Sequence, residues 1–327
     1  MTRIAVDLQG GDQGSPPFVC GVLDVLEQRP DLQVVLLGET SSLNLPGGYA
    51  DRIELLNTEE AVDSRDSPAS ALRNKSNSSM AKAIRLLADH QVDAVVSAGN
   101  TGALVGFGVQ ILDVSEGISR PAIGTAIPTR EGKTWMLDIG ATLNDSADRL
   151  VELARIGAAL SRVSEKIAKP RVSLLNVGSE AIKGTPEHKI AAEQLQKIGK
   201  LEFAGYVEGD GIFNGRQDVV VCDGYTGNIA IKTAQGLSRL LQKELDSTYK
   251  SSLLARVAMG LARPSIRKFA SRINPSLYNG APLLGLNGLI VKSHGSADQQ
   301  AFANAVRVAA DMAENGLVAA VNADVRV

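Results

Sequence analysis

Five short segments place glycine next to side chains that hold anions or turn a helix start toward one. They are Asp7-Leu8-Gln9-Gly10-Gly11-Asp12, Ser97-Ala98-Gly99-Asn100-Thr101-Gly102-Ala103, Asp138-Ile139-Gly140-Ala141-Thr142, Asn176-Val177-Gly178-Ser179-Glu180 with Lys183-Gly184 just after, and Asp223-Gly224-Tyr225-Thr226-Gly227-Asn228. Glycine lets the backbone bend and approach a ligand, and the free N–H groups at a helix start donate to an anion. Asn100, Thr101, Thr226 and Asn228 can add side-chain hydrogen bonds or cap the helix that follows. Taken singly, each segment is explained by capping. Five in one chain imply a pocket for a small oxyanion or a phosphorylated ligand.

Other chemistries are poorly served. Of the three histidines, His90 reads as a surface residue at a helix end and His188 lies in a charged helical stretch. His294, in Lys292-Ser293-His294-Gly295-Ser296-Ala297-Asp298, is the best catalytic candidate. Cys20 and Cys222 have no basic neighbour in sequence to lower a thiol pKa, and two cysteines build no disulfide framework, which fits a reducing compartment. There is no G-x-x-x-x-G-K-[ST] loop, no G-x-S-x-G elbow, no H-E-x-x-H and no C-x-x-C. Gly209-Asp210-Gly211 with Gly215 has the wrong spacing for a dinucleotide fingerprint. No metal site and no cofactor are expected.

The elements that must position these segments are legible as short valine- and isoleucine-rich runs at residues 4–6, 34–37, 94–96, 135–137, 172–175 and 219–222. Amphipathic stretches at 79–90, 147–161 and 186–198 have apolar residues at helical spacing. Alternating strand and helix predicts an α/β fold, a three-layer α/β/α sandwich with helices on both faces of a mixed, mostly parallel sheet. Ligands in such folds bind beyond the carboxyl ends of the strands, where the five segments fall. With no linker and no internal repeat, residues 1–327 read as a single compact unit, or as two intertwined lobes.

Composition narrows the partners. The 327 residues are 44 % hydrophobic and 21 % charged, as in an ordinary globular protein. A net charge of −2 and 4 % aromatic residues argue against nucleic acid. The chain enters its first apolar run without a signal-peptide pattern, so a cytoplasmic location is expected. Two uncharged stretches, 94–112 and 273–291, are too rich in polar residues, glycine or proline to span a bilayer. Residues 247–297 contain no acidic side chain, and within them Leu253, Leu254, Val257, Ala258 and Leu261 share one helical face. The segment 235–275 therefore reads as a projecting, basic amphipathic helical element that touches anionic lipid or an acidic protein partner.

Together, Gly10-Gly11-Asp12, the 97–103 segment, Asn176-Val177-Gly178-Ser179-Glu180, the 223–228 segment and Lys292-Ser293-His294-Gly295-Ser296-Ala297-Asp298 resemble the phosphate acyltransferase (PlsX) family, in order and over nearly the whole chain. The resemblance implies a fold like that of isocitrate and isopropylmalate dehydrogenases and of phosphotransacetylases. It implies transfer of an acyl group from acyl carrier protein to inorganic phosphate, the opening step of bacterial phosphatidic acid synthesis. It also implies a homodimer, peripheral membrane association and hand-over of acyl phosphate to a membrane-bound glycerol-3-phosphate acyltransferase. Two features depart from the family. Gln9 and Gln13 flank Gly-Gly-Asp where methionine and histidine are usual, and Thr142 replaces an asparagine. Gln13 cannot titrate, so it transfers no proton.

On that reading, phosphate is held by the Asn100-Thr101-Gly102 and Thr226-Gly227-Asn228 turns, with Lys183 as counter-charge. Lys292 or His294 polarises the thioester carbonyl or protonates the leaving thiolate, while Asp12, Asp138 and Asp223 orient loops. Leu253, Leu254, Val257 and Leu261 form an apolar tip at the membrane, and Arg256, Arg263, Arg267 and Lys268 meet lipid phosphates or the carrier. Two alternatives stay open: a phosphotransacetylase-like enzyme using acyl-coenzyme A, and a non-enzymatic anion-binding protein.

Overall fold

A computed structural model describes residues 1–142, 145–250, 262 and 275–325. The strands form two sheets, where the sequence predicts one. The first has seven strands in the order β3-β2-β1-β4-β12-β11-β5: β1 (Thr2–Asp7), β2 (Leu32–Gly38), β3 (Ile53–Asn57), β4 (Ala94–Ser97), β5 (Ala122–Ile123), β11 (Ala281–Leu284) and β12 (Leu289–Lys292). The second has five in the order β6-β7-β10-β8-β9: β6 (Thr125–Thr129), β7 (Gly132–Leu137), β8 (Arg171–Leu175), β9 (Glu202–Val207) and β10 (Val219–Val221). Gly124, which separates β5 from β6, marks where the chain passes between sheets, and it donates to Pro282 O on the first. A break of one residue between two apolar runs leaves no trace in hydrophobic periodicity.

The sites of interest depend on which strands run parallel. β3, β2, β1, β4 and β12 are mutually parallel, so the loops after residues 7, 97 and 292 emerge at one edge of the first sheet. β7, β10, β8 and β9 are likewise parallel, which gathers the loops after 137, 175 and 221. Period-two alternation then assigns the faces. Ile4, Val6, Val34 and Leu36 pack with α1 (Pro16–Gln28) and α8 (Gln299–Glu314), and Phe18 stacks on Phe302 with ring centroids 4.1 Å apart. Ala5, Val35, Leu37 and Val95 face α3 (Ser79–Ala88) and α4 (Thr101–Leu112). α2 (Pro68–Asn74) covers α4.

In the second sheet, Trp135, Leu137, Val172, Leu174, Val219 and Val221 join the cluster that holds α5 (Ala147–Glu165) and α9 (Leu317–Val325). That same cluster includes the α1–α8 face of the first sheet, so one apolar core runs under both sheets. The opposite face, with Met136, Val220 and Cys222, receives α7 (Gly224–Lys250), and α6 (Pro186–Leu195) packs beside α5. Helices α3, α5 and α6 occupy the expected stretches. α3 stops at Ala88 and α6 at Leu195, short of the amphipathic pattern, whereas α5 continues to Glu165.

α7 already starts at Gly224, and it exposes Leu237, Leu240 and Leu241. Most of the expected 235–275 element, including Leu253, Leu254, Arg256, Val257, Leu261, Arg263, Arg267 and Lys268, lies outside the described residues.

Candidate active site

Each strand-end loop is built by its own polar residues. After β1, the buried Asp7 carboxylate accepts from Ser79 Oγ (2.6 Å), Ser97 Oγ (2.7 Å) and Gln9 N (3.1 Å). This fixes the β1 and β4 loops against each other. Gly10 and Gly99 meet so closely that a Cβ on Gly10 would stand 2.3 Å from Gly99 N, which explains why both are glycine. Asn100 caps α4 through Ala103 N (3.1 Å), and its amide donates to Ser64 O and Asp66 O. Its side chain is spent on scaffold, which leaves the backbone and Thr101 as the groups this turn can offer a ligand.

The 138–142 loop is wound around Asp138, which is fully buried. One carboxylate oxygen accepts from the N–H groups of Ile123, Gly140 and Ala141, the other from Thr142 N and Thr142 Oγ1, all within 2.9–3.2 Å. Thr142 thus holds the carboxylate through both its N–H and its hydroxyl. The start of α7 lies directly on this loop. A Cβ on Gly227 would sit 1.9 Å from Asp138 O, and Asn228 stands over Gly140. Asp223 accepts from Thr226 N (2.9 Å) and Thr226 Oγ1 (2.6 Å), so Thr226 is held by its cap. The Asp138 and Asp223 carboxylates are thus taken up by N–H and O–H donors of the loops around them.

Lys183, after β8, folds back over Gly178 and pairs with Glu180 at 2.9 Å, both side chains about half exposed. Each partner shifts the other: the carboxylate holds the Lys183 ammonium above its ordinary pKa, and the ammonium holds Glu180 below its own.

The β12 loop behaves differently. Lys292 Nζ donates to Ala98 O (3.1 Å) in the neighbouring β4 loop and to Ser293 O. Burial pulls the Lys292 ammonium down to about 8, with Asp7 opposing and Lys232 reinforcing the shift. His294 N is held by Asn279 Oδ1 (2.9 Å), and the ring is also pushed below its ordinary pKa, first by burial and then by Lys232, Lys292 and Arg239, with Asp12 opposing. Asp12 N donates to Gly295 O (2.8 Å), which brings the Gly10-Gly11-Asp12 turn beside His294. Lys232 of α7 places Nζ 3.4 Å from His294 Nε2.

The structure therefore brings Asp12, Lys292, His294, the Gly99 turn and α7 together between the two sheets, and leaves Lys183 on the adjoining β8 end. Sequence reading missed Asp7 and Lys232. Lys232 follows Asn228 by four residues, one helical turn, and that spacing was the available signal. Cys222 is buried, its thiol pushed up by burial and by nearby aspartates, which disfavours the thiolate. Among the described residues no three His, Cys, Asp or Glu side chains gather to hold a metal ion. A cavity of about 230 Å³ lined by Arg155, Arg162, Lys197, Lys200 and Asp324 shares no residue with these loops.

The chain is an α/β protein with two mixed, mostly parallel sheets sharing one apolar core, a fold similar to that of phosphotransacetylases. The EutD phosphotransacetylase from Staphylococcus aureus superimposes with a TM-score of 0.60 at 17 % identity, covering 95 % of this chain and 94 % of that one. A branched-chain phosphotransacylase from Enterococcus faecalis V583 gives 0.59 at 13 %, covering 96 % and 99 %. At such identities the likeness is one of fold. Sequence is more specific. A family model described as "Fatty acid synthesis protein" matches residues 2–320. The phosphate acyltransferase of Methylococcus capsulatus is 44 % identical over 322 residues, covering 97 % of this chain and 95 % of that protein. That of Dichelobacter nodosus is 42 % identical, covering 96 % and 92 %. The chain belongs to the phosphate acyltransferase family of fatty acid and phospholipid synthesis.

Proposed function

We infer that this chain transfers an acyl group from the thioester of acyl carrier protein to inorganic phosphate, releasing acyl phosphate and the free carrier thiol. The 44 % identity to a phosphate acyltransferase over almost the full length carries the reading. Hydrogen phosphate is already a nucleophile near neutral pH and a thioester is already activated, so no covalent enzyme intermediate is needed. A phosphate oxygen attacks the carbonyl carbon, the C–S bond breaks, and the phosphate proton ends on the thiolate. Holding the two reactants in attack geometry can supply up to ~7–11 kcal/mol.

On this reading the Thr101-Gly102 and Thr226-Gly227-Asn228 turns receive phosphate, with Asn228 presented over Gly140. Lys183 acts as counter-charge once the anion displaces Glu180. Lys292 or His294 faces the carbonyl oxygen or the leaving sulfur. The fold is read further as the isocitrate/isopropylmalate dehydrogenase-like arrangement.

The enzyme acts as a homodimer at the cytoplasmic membrane surface, passing its product to a membrane-bound glycerol-3-phosphate acyltransferase. Among the described residues no helix is long and apolar enough to cross a membrane. On this reading membrane contact is made by the basic segment beyond Lys250, through Leu253, Leu254, Val257 and Leu261. Exchanging these for glutamate is expected to abolish sedimentation with anionic liposomes and spare activity in solution. Unchanged sedimentation would remove the membrane role.

The deciding experiment is phosphate-dependent thiol release from palmitoyl acyl carrier protein, with palmitoyl-coenzyme A alongside. Release with the carrier substrate alone, or far faster with it, is expected. Release with the coenzyme A substrate only would make the chain a phosphotransacetylase, and release with neither would leave an anion-binding protein.

A further inference from the structure

We propose that Lys232 contacts the phosphate nucleophile, joining His294 in an anion clamp that both halves of the molecule must supply, with Lys292 beside it on the thioester. The proposal rests on the phosphate acyltransferase reading above and adds a substrate-binding residue to it.

The argument starts from hydrogen-bond direction. His294 Nδ1 lies 3.2 Å from Ser296 N, which can only donate, and 2.9 Å from Ser296 Oγ, whose hydroxyl can donate to it as well; with Nδ1 accepting, the neutral ring carries its proton on Nε2. The pKa of His294 is lowered, which favours that neutral ring near pH 7. Lys232 Nζ, 3.4 Å from Nε2, has only donors as well. Two donors this close cannot bond to each other; they converge on an acceptor that both can share. Lys292 Nζ spends two of its donors on Ala98 O and Ser293 O and keeps a third.

The charges agree with the geometry. Neither Lys232 nor Lys292 has a carboxylate within ion-pair distance among the described residues. Among the charges that act most on it, His294 feels Lys232, Lys292 and Arg239 against Asp12, and Lys292 feels Lys232 against Asp7 and Asp12. The Asp7 carboxylate is already held by two serine hydroxyls. A compact dianion seated between Lys232 and His294 supplies the missing acceptor and the missing charge together. Lys232 also lies one turn beyond Asn228 on α7, so a single phosphate can span the helix start and the clamp.

The clamp explains why two sheets are needed. α7 belongs to the five-stranded sheet and the His294 loop to the seven-stranded one, so neither half binds the nucleophile fully alone.

The test compares Lys232→Met and Lys232→Arg with wild type for the phosphate KM in thiol release. A charge-assisted hydrogen bond predicts a rise of about 10- to 100-fold for Met, with much of it recovered by Arg. A phosphate KM within twofold of wild type in Lys232→Met overturns the proposal. Titrating the imidazole by NMR, feasible with three histidines, covers a variant too slow to assay. Inorganic phosphate is expected to raise the His294 titration midpoint in wild type and to lose most of that effect in Lys232→Met. An equal rise in both proteins, or none in wild type, overturns it. Absence of thiol release from wild type would instead strike the function reading, while the titration would still report on the anion site.

Discussion

Two lysines mark strand ends on different sheets, Lys292 closing β12 and Lys183 standing in the loop after β8, and their surroundings could hardly differ more. Lys183 stands at the surface beside β8 with Glu180 as its partner, while Lys292 is drawn under the β4 loop with backbone carbonyls for partners. Water and a carboxylate keep the first ammonium charged. Burial makes the second easy to deprotonate, at about 8. An exposed ion pair contributes little to stability and exchanges partners readily, so Lys183 suits an entering anion. A desolvated ammonium acts in a low-dielectric setting, where a donor aimed at developing negative charge counts most, so Lys292 suits the oxyanion or the leaving thiolate. Proximity to a strand end does not decide a lysine's use; its counter-charge and solvation do.

The contrast can be broken most sharply at Lys292. Removing its ammonium in Lys292→Met is expected to lower kcat by about 10²–10³-fold, the usual effect of deleting an oxyanion donor, measured as thiol release at saturating phosphate. A loss below tenfold would place Lys292 with the scaffold. The same residue sets a pH dependence. Its proton is lost as pH rises through about 8, so the rate is expected to fall on the alkaline side. Lys292→Arg should carry that limb to higher pH, and an unchanged limb would assign it to another group.

Asp138 tests the scaffold that presents Asn228. Asp138→Asn keeps the shape but turns an NH₂ toward donors, disrupting hydrogen bonds to a buried charged group worth about 1.5–3 kcal/mol each. Chemical denaturation should show a loss of about 3 kcal/mol, and native-like stability would deny Asp138 its organising role.

Smaller effects are expected at the exposed pair. Lys183→Ala should raise the phosphate KM about tenfold, and normal activity with normal phosphate affinity would remove Lys183 from the site. Glu180→Gln frees the ammonium without competition, so the phosphate KM should fall by a few-fold. A rise instead would mean that Glu180 positions Lys183 for the anion.

Local rules made much of this molecule legible. Valine-rich runs became buried strands because alternating faces must both be covered. The glycine-bearing segments fell at strand ends because those turns need close backbone approach, as at Gly10 and Gly99. Capping was legible too: Asn100 and the Asp223–Thr226 pair do locally what their types favour.

Three things were beyond the sequence. The split into two sheets turns on Gly124, and hydrophobic alternation carries no signal for which sheet a strand joins. Asp7 read as the first residue of a loop, and only the packing of α3 and β4 shows it buried between two serine hydroxyls. Lys232 did not stand out in the sequence, because its meaning depends on His294, 62 residues away. Sequence determined which groups were available and which local shapes they take, since propensity and capping act over a few residues. Tertiary structure alone decided which charges lose their water and which donors share an acceptor, because both depend on groups brought together from distant parts of the chain.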